Sequence, residues 1–363
     1  MRRSLMFLAF TAACHSEPAE PAFYGATGTL TVGAEVRLTY ADTNEDGVKF
    51  RATAPTWASD GKGIMFSFLP RPYGPGEKKL GQRCFLSRTC RAVAQDPGDK
   101  CLAMLPPTGG SAYWNVCESR SGHSNVIDRI EAGDVNSAGQ LLYTEEAGPA
   151  SQQFVPDGPP GDYADLWLST VTSPVIRREL CRFFGTGIVL PAAAPCSVGI
   201  LRNIQWSGPN TFVAMSGSGL IRGAVTSDSV SISAMGTPTS VVSYALVDNH
   251  SAVIIVGGDF RVRRVAIADG TVTVVGTLPL PPDAVVRDVG CHPDLCVVLV
   301  ASGSTPRHWD LWRMDRVTGN AAVVRTFDHE LITAKLSPTS GDVVALEPVG
   351  ADTSMYLLTK VIP

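Results

Sequence analysis

The chain has 363 residues, a formal net charge of −4, and charged side chains at only 18% of its positions. A slightly acidic balance offers no basic field to neutralise phosphates, which argues against nucleic acid as a partner. The low charge, together with 35 Gly and 26 Pro, favours many short strands joined by turns.

The N-terminus has the pattern of an export signal over residues 1–13. Arg2 and Arg3 precede an apolar run, and small residues follow before Cys14. This is the order of regions in a cleavable signal peptide. Residues 11–14 (TAAC) resemble a lipobox, in which the cysteine of a bacterial lipoprotein receives its lipid, although Thr11 stands where Leu is usual. We therefore predict an exported lipoprotein anchored through Cys14.

The segment after the cysteine, residues 14–26, is polar and contains proline, which is typical of a flexible tether. No later run approaches the roughly 18 apolar residues that a spanning helix needs, so lipid alone would hold the protein at the membrane. His15 after the cysteine favours the outer membrane, with the body facing the periplasm or the cell surface. The alternative is an ordinary secretory signal with an incidental cysteine.

The first predicted strand lies within residues 27–40, where apolar and polar residues alternate. Three oxygen-bearing residues follow it at alternate positions before a glycine, namely Asp42, Asn44 and Asp46. That spacing matches the first half of a calcium loop, but Thr53 stands where the closing Glu belongs. The two interpretations are a calcium site and a plain turn between blades.

The most informative motif spans residues 55–68 (PTWASDGKGIMFSF), where an aromatic residue ends one strand and an Asp-Gly turn leads into another. It resembles the Pro-Asp repeat of TolB-like propellers, P-x-W-S-P-D-G-x-x-I-A-F, and differs by Ala58-Ser59 in place of Ser-Pro. This resemblance implies a six-bladed β-propeller and a protein-binding role in the cell envelope. Only about 40 residues precede the repeat, too few for the N-terminal domain of TolB, so membership of the Tol system does not follow.

Weaker copies of the same strand-turn-strand pattern recur along the chain, at residues 132–145, 203–215, 243–256, 286–300 and 333–347. The last copies are spaced by about 45 residues, the length of one four-stranded blade. Several copies are followed by a second hairpin, so that the two hairpins together give the four strands of a blade. These second hairpins lie at residues 100–116, 164–180, 260–278 and 310–327.

The last blade contains only three evident strands, so we expect residues 27–40 to supply its fourth. Closure by both chain ends pairs an edge that would otherwise be exposed. We predict an all-β fold, a single six-bladed β-propeller domain over residues 27–363 that is closed by N- and C-terminal strands and is monomeric. Five or seven blades are the alternatives.

Eight cysteines remain after Cys14, an even number in an exported chain, which predicts disulfides rather than zinc because no CxxC spacing occurs. Local spacing suggests these neighbours as pairs: Cys84 with Cys90, Cys101 with Cys117, Cys181 with Cys196, and Cys291 with Cys296.

No catalytic motif appears: there is no GxSxG elbow, no GxxxxGK loop and no paired histidine spacing. We therefore predict a non-enzymatic scaffold without a cofactor that binds another envelope protein through one face or the channel mouth. The first insertion supplies candidate partner contacts at Arg71, Lys78, Lys79 and Arg83. The alternatives are a lyase or hydrolase with its site in the axial channel, and glycan or small-ligand binding. For Trp57, Trp206, Trp309 and Trp312 the sequence favours packing over ligand binding.

Overall fold

The fold was analysed in a computed structural model, which describes residues 33–39, 50–58, 60–70, 100–108, 113–118, 127–147, 163–171, 177–184, 201–217, 219–227, 229–292, 295–303, 307–349 and 352–361. Every regular element in these residues is a β-strand, and they include no helix with the length and hydropathy to cross a membrane. The strands form a six-bladed propeller, as predicted.

The first half of the ring holds three blades, after a short strand β1 (Glu35–Arg37). Blade 1 consists of β2 (Phe50–Trp57), β3 (Ile64–Pro70), β4 (Lys100–Leu105) and β5 (Tyr113–Glu118). Blade 2 consists of β6 (Ile127–Val135), β7 (Gln140–Ala147), β8 (Tyr163–Thr170) and β9 (Arg177–Phe184). Blade 3 consists of β10 (Leu201–Trp206), β11 (Thr211–Ser216), β12 (Gly219–Val225) and β13 (Val230–Ala234).

The second half of the ring holds the other three blades. Blade 4 consists of β14 (Val241–Leu246), β15 (Ser251–Val256), β16 (Arg261–Ala266) and β17 (Val272–Thr277). Blade 5 consists of β18 (Val285–Cys291), β19 (Leu295–Ser302), β20 (His308–Asp315) and β21 (Ala321–Phe327). Blade 6 consists of β22 (Thr333–Leu336), β23 (Val343–Val349), β24 (Asp352–Leu358) and β1.

The ring closes at blade 6, where β1 pairs antiparallel with β24 and Val36 lies opposite Leu357. Backbone hydrogen bonds of 2.8 Å extend the pairing on both sides, from Gly33 N–H to Thr359 O and from Leu38 N–H to Met355 O. The predicted closure by both chain ends is therefore confirmed. A parallel pair between Arg51 and Thr353 also joins blade 1 to blade 6 in one sheet.

The core lies between blades, because each blade has two apolar faces that only its neighbours can cover. Leu142 of blade 2 packs in one cluster with Phe212 of blade 3, and Val253 of blade 4 packs with Val298 of blade 5. All four side chains are fully buried. Burial of one such side chain is worth roughly 1.5–3 kcal/mol.

The second strand of a blade, rather than the first, carries the continuous apolar run. Residues 252–255 and 297–300 are fully buried and lie in β15 and β19, the second strands from the axis. The first strands β2, β6, β10, β14, β18 and β22 surround the axis and have one side on the central channel, so polar residues interrupt them.

The predicted second hairpins of residues 100–116, 164–180, 260–278 and 310–327 are confirmed as β4–β5, β8–β9, β16–β17 and β20–β21. The Asp-Gly turn of the first repeat lies between β2 and β3, where Gly61 has a φ of 68°. A β-carbon on Gly61 would also meet the Thr339 side chain. This turn therefore requires glycine both for its positive φ and for the space beside Thr339.

Candidate functional site

The candidate site is the axial channel, which widens into a cavity of about 360 Å³, here called the wide cavity. All six first strands contribute side chains to its wall. A smaller cavity of about 180 Å³, the narrow cavity, lies where these strands end. Register shifts against the second strand occur in the first strands of blades 1 to 5 and turn consecutive residues toward the axis.

The channel wall repeats from blade to blade in tiers counted back from the last residue of each first strand. Four residues before that end lies the mouth tier, which comprises Thr53, Glu131, Arg202, Val242, Arg287 and Ile332. Three residues before that end lies the middle tier, whose described side chains are those of Ala54, Asn203, Ser243, Asp288 and Thr333. One residue before it lies the lower tier, which comprises Thr56, Asp134, Gln205, Ala245, Gly290 and Lys335 and lines the narrow cavity.

Asp288 is the most heavily bonded side chain of the channel and is only 5% exposed. Its carboxylate accepts hydrogen bonds from five donors: Ser243 Oγ at 2.8 Å, Val289 N–H at 2.9 Å, Lys335 Nζ at 2.7 Å, Ala334 N–H at 3.1 Å and the Thr333 hydroxyl. These donors come from three successive blades. A buried carboxylate is tolerated only with such partners, so Asp288 joins blades 4, 5 and 6 at the axis.

Glu131 is the corresponding carboxylate on the opposite wall, and it is 7% exposed. It accepts hydrogen bonds from Arg202 Nη1 at 3.2 Å and from Asn203 N–H at 3.3 Å, both in blade 3. Asn203 has a positive φ of 49° and donates from Nδ2 to Tyr244 O in blade 4 at 3.2 Å. Polar contacts therefore run from blade 2 to blade 6 around the channel.

Asp134 in the lower tier is partly exposed and accepts hydrogen bonds from Val135 N–H at 2.7 Å and Trp206 N–H at 3.2 Å. Desolvation of its carboxyl outweighs these two bonds and raises its pKa to about 7. Asp134 can therefore exchange a proton close to neutral pH.

Trp57 and Trp206 occupy the same repeat position and make the same contact. Trp57 Nε1 donates to Lys335 O at 2.9 Å, and Trp206 Nε1 donates to Asp134 O at 2.9 Å, each a lower-tier carbonyl of the preceding blade. Their exposures are 6% and 8%. Trp309 and Trp312 pack against apolar clusters between blades. The four tryptophans thus serve packing, as the sequence favours.

Among the predicted disulfides, Cys291–Cys296 is present, and Cys181 is also disulfide-bonded. Cys101 and Cys117 lie opposite each other in the β4–β5 register, as expected for that hairpin. The remaining predicted site residues lie outside the described residues: Cys14, Asp42, Asn44, Asp46, Arg71, Lys78, Lys79, Arg83, Cys84, Cys90 and Cys196.

A further group of metal-ligand type lies at the ring closure, where ligand atoms of Glu35, His329 and Glu347 are within 4.8 Å of one another. Arg325 already forms an ion pair of 3.0 Å with Glu35, and Glu347 bonds the Tyr356 hydroxyl. Glu35 therefore joins β1 to β21 of blade 5, and Glu347 joins β23 to β24 within blade 6.

Sequence reasoning did not identify Asp288, Lys335, Glu131 or Arg287. They can be recognised by their distance from the end of the first strand of their blade. Residues at the same distance in other blades also line the channel. None belongs to a local motif, because the channel is assembled from residues separated by whole blades.

No known protein family and no curated protein matches the sequence. Solved structures do: an oligogalacturonate lyase in complex with manganese is 10% identical with a TM-score of 0.47, covering 90% of this chain and 92% of that one. A streptogramin B lyase is 10% identical with a TM-score of 0.44, covering 89% and 96%. The WD40 repeats of RRP9 are 11% identical with a TM-score of 0.44, covering 85% and 94%. The chain itself is a six-bladed β-propeller with a polar axial channel.

Proposed function

We propose that this protein is an exported, lipid-anchored propeller of the cell envelope, similar in class to TolB. In this proposal it works as a monomer that binds another envelope protein at the mouth of the axial channel and catalyses no reaction. The N-terminal pattern ending at Cys14 supports the anchor. The slightly negative net charge of the chain argues against nucleic acid as the partner.

The binding role rests on one observation: both carboxylates of the wide cavity are already bonded to neighbouring blades. Asp288 accepts five hydrogen bonds and Glu131 is paired with Arg202. A carboxylate that holds blades together is poorly available to move protons to and from a substrate. The mouth tier meanwhile presents apolar side chains to solvent, with Val242 40% and Ile332 41% exposed, which suits a contact surface.

Site-specific photocrosslinking in the native envelope tests the partner role. A crosslinking amino acid at Ile332 should capture one envelope protein, while the same group at Val317, which is exposed on the β20–β21 turn, should not. Equal capture from both positions, or none from Ile332, would contradict the proposal.

Metabolic labelling with palmitate tests the anchor. The wild-type protein should incorporate label and Cys14→Ser should not, while globomycin should leave the signal segment uncleaved. A mature wild-type product that is unlabelled and released in soluble form would exclude the lipoprotein assignment.

A second candidate function is an enzyme, a lyase or hydrolase that acts in the channel. The observation in its favour is Asp134, whose pKa of about 7 suits a general acid or base. Lys335 and Gln205 line the same narrow cavity. A turnover screen with polysaccharide, peptide and ester substrates tests it: activity that disappears in Asp134→Asn, with unchanged folding, would favour the enzyme.

A further inference from the structure

The two halves of the mouth tier differ in how their side chains are used. Glu131 of blade 2 and Arg202 of blade 3 form an ion pair of 3.2 Å across one half. The other half comprises Val242, Arg287, Ile332 and Thr53, which come from blades 4, 5, 6 and 1 in ring order. All four line the wide cavity, and we call them the open arc.

Arg287 is the charged member of the open arc. It is exposed and forms no hydrogen bond or ion pair with another described residue. Of the other described charged residues in the mouth tier and the cavity wall, Arg202 pairs with Glu131 and Lys335 pairs with Asp288. Among these described residues, Arg287 therefore carries a positive charge that no carboxylate balances, which favours an anionic ligand.

Thr53 supplies an independent observation on the far side of the open arc. Its hydroxyl oxygen is buried and has no hydrogen-bond partner among the residues that the structure describes. A buried polar atom without a partner costs free energy, and a ligand that bonds it recovers that cost. Arg287 and Thr53 both line the wide cavity, so a guanidinium and an unused hydroxyl lie in the same wall.

The residues on either side of Arg287 indicate which kind of anion would fit. Val242 and Ile332 flank it in the neighbouring blades and are both exposed apolar residues. An aliphatic group beside the anion would cover them. A phosphate dianion fits less well, since Arg287 is the one unpaired cation among the described residues that line the cavity, and the carboxylates of Glu131 and Asp288 line it too.

We infer that the wide cavity binds a carboxylate that carries an aliphatic group, with Arg287 pairing to the carboxylate and Thr53 donating to the ligand. Arginine binds a carboxylate through two parallel N–H groups, which fixes the orientation of the ligand. A cavity of about 360 Å³ falls within the size range of small-ligand sites. The inference rests on the proposed binding role of the channel mouth and specifies its chemistry.

Such a carboxylate has two sources, the C-terminus of a partner polypeptide and a free small acid. Calorimetric titration of the mature protein separates them with four probes: N-acetyl-Ala-Ala-Leu with a free carboxylate, the same peptide as its C-terminal amide, N-acetyl-leucine, and inorganic phosphate. We expect the free-acid peptide to bind. Its amide should bind at least about tenfold more weakly, because it loses one charge-assisted contact with Arg287. Binding of N-acetyl-leucine with equal affinity would identify a small acid as the source, and weaker binding would identify a polypeptide end.

Substitutions in the open arc test whether these residues bind the ligand. Arg287→Gln should weaken binding of the free-acid peptide about tenfold to hundredfold, and Arg287→Lys should weaken it less. Ile332→Asn should reduce the preference for leucine over glycine at the peptide end. Arg313→Gln, an exposed arginine on β20, is the matched control and should leave affinity unchanged. Thermal unfolding of each variant checks that the fold is intact.

Equal binding of the amide, tighter binding of phosphate, no binding of any acid, or an unchanged affinity in a folded Arg287→Gln protein would overturn the inference. Its failure is distinguishable from failure of the proposed function. If Ile332 still captures an envelope protein but none of the acids binds, only the carboxylate inference falls. If the acids bind but no protein is captured, only the protein-binding role falls.

Discussion

Lys335 Nζ lies 2.7 Å from Asp288 Oδ1 and joins the first strands of blades 5 and 6 at the propeller axis. Both side chains are largely buried, so the pair is shielded from solvent. Gly290, two residues after Asp288, permits the close approach of the strands, because a β-carbon there would meet Leu336 N at 2.5 Å.

Removing one partner of this pair should destabilise the protein. We expect Asp288→Asn to lower the free energy of unfolding by about 3 kcal/mol, because Lys335 would remain buried without its counter-charge. Urea denaturation measures the change. Lys62→Met is the control, since Lys62 and Asp60 are exposed and 3.9 Å apart, and it should cost less than about 0.5 kcal/mol. Equal effects of the two variants would show that Asp288 does not hold the blades together.

The two equivalent tryptophans should respond alike. Trp57→Phe and Trp206→Phe each remove one indole donor to the preceding blade while keeping an aromatic ring, so each should cost about 1 kcal/mol or slightly more. Chemical denaturation of both variants provides the measurement. A large loss in one and none in the other would contradict their equivalence.

Asp134 should make stability depend on pH. Its folded pKa of about 7 exceeds the unfolded value of 3.8, so the native state binds more protons between these values. The contribution of Asp134 to the free energy of unfolding therefore falls as the pH rises through this window. Asp134→Asn mimics the protonated carboxyl and should gain stability relative to wild type as the pH rises from about 4 to about 7, by about 1–2 kcal/mol after allowance for partial exposure.

Urea denaturation at several pH values gives that comparison. Asp269→Asn is the matched control, because hydrogen bonds from Thr271 lower the pKa of Asp269 and it does not titrate in this range. A relative stability of Asp134→Asn that stays constant across the window would show that Asp134 is ionised throughout.

Loss of β1 should open the ring. A protein that begins at residue 41 lacks the partner of β24 and also Leu38, which is fully buried. An unpaired edge invites pairing with another chain. We expect it to unfold at lower temperature and to self-associate in light scattering, whereas a protein that begins at residue 27 should remain monomeric. A stable, monomeric shorter protein would show that closure by β1 is dispensable.

The sequence allowed the blade repeat and ring closure to be predicted, but not the channel. The hairpins are local: the Asp60-Gly61 turn and the strands on either side lie within a dozen residues. The channel contacts are not local, since Asp288 bonds residues 45 positions away in both directions. In addition, the register shifts near Thr53, Arg202 and Val286 change which residues face the axis, and simple alternation does not predict them.

In the proposed binding role, the tiered channel separates ligand contact from the packing of the fold. Each blade contributes one mouth-tier residue, and the apolar contacts that hold the blades together lie between the sheets, away from the opening. A single exchange at Val242, Arg287 or Ile332 can therefore alter which molecule the opening admits while the interior stays unchanged. If the mouth binds as proposed, the four positions of the open arc would let closely similar proteins acquire different ligands through very few substitutions.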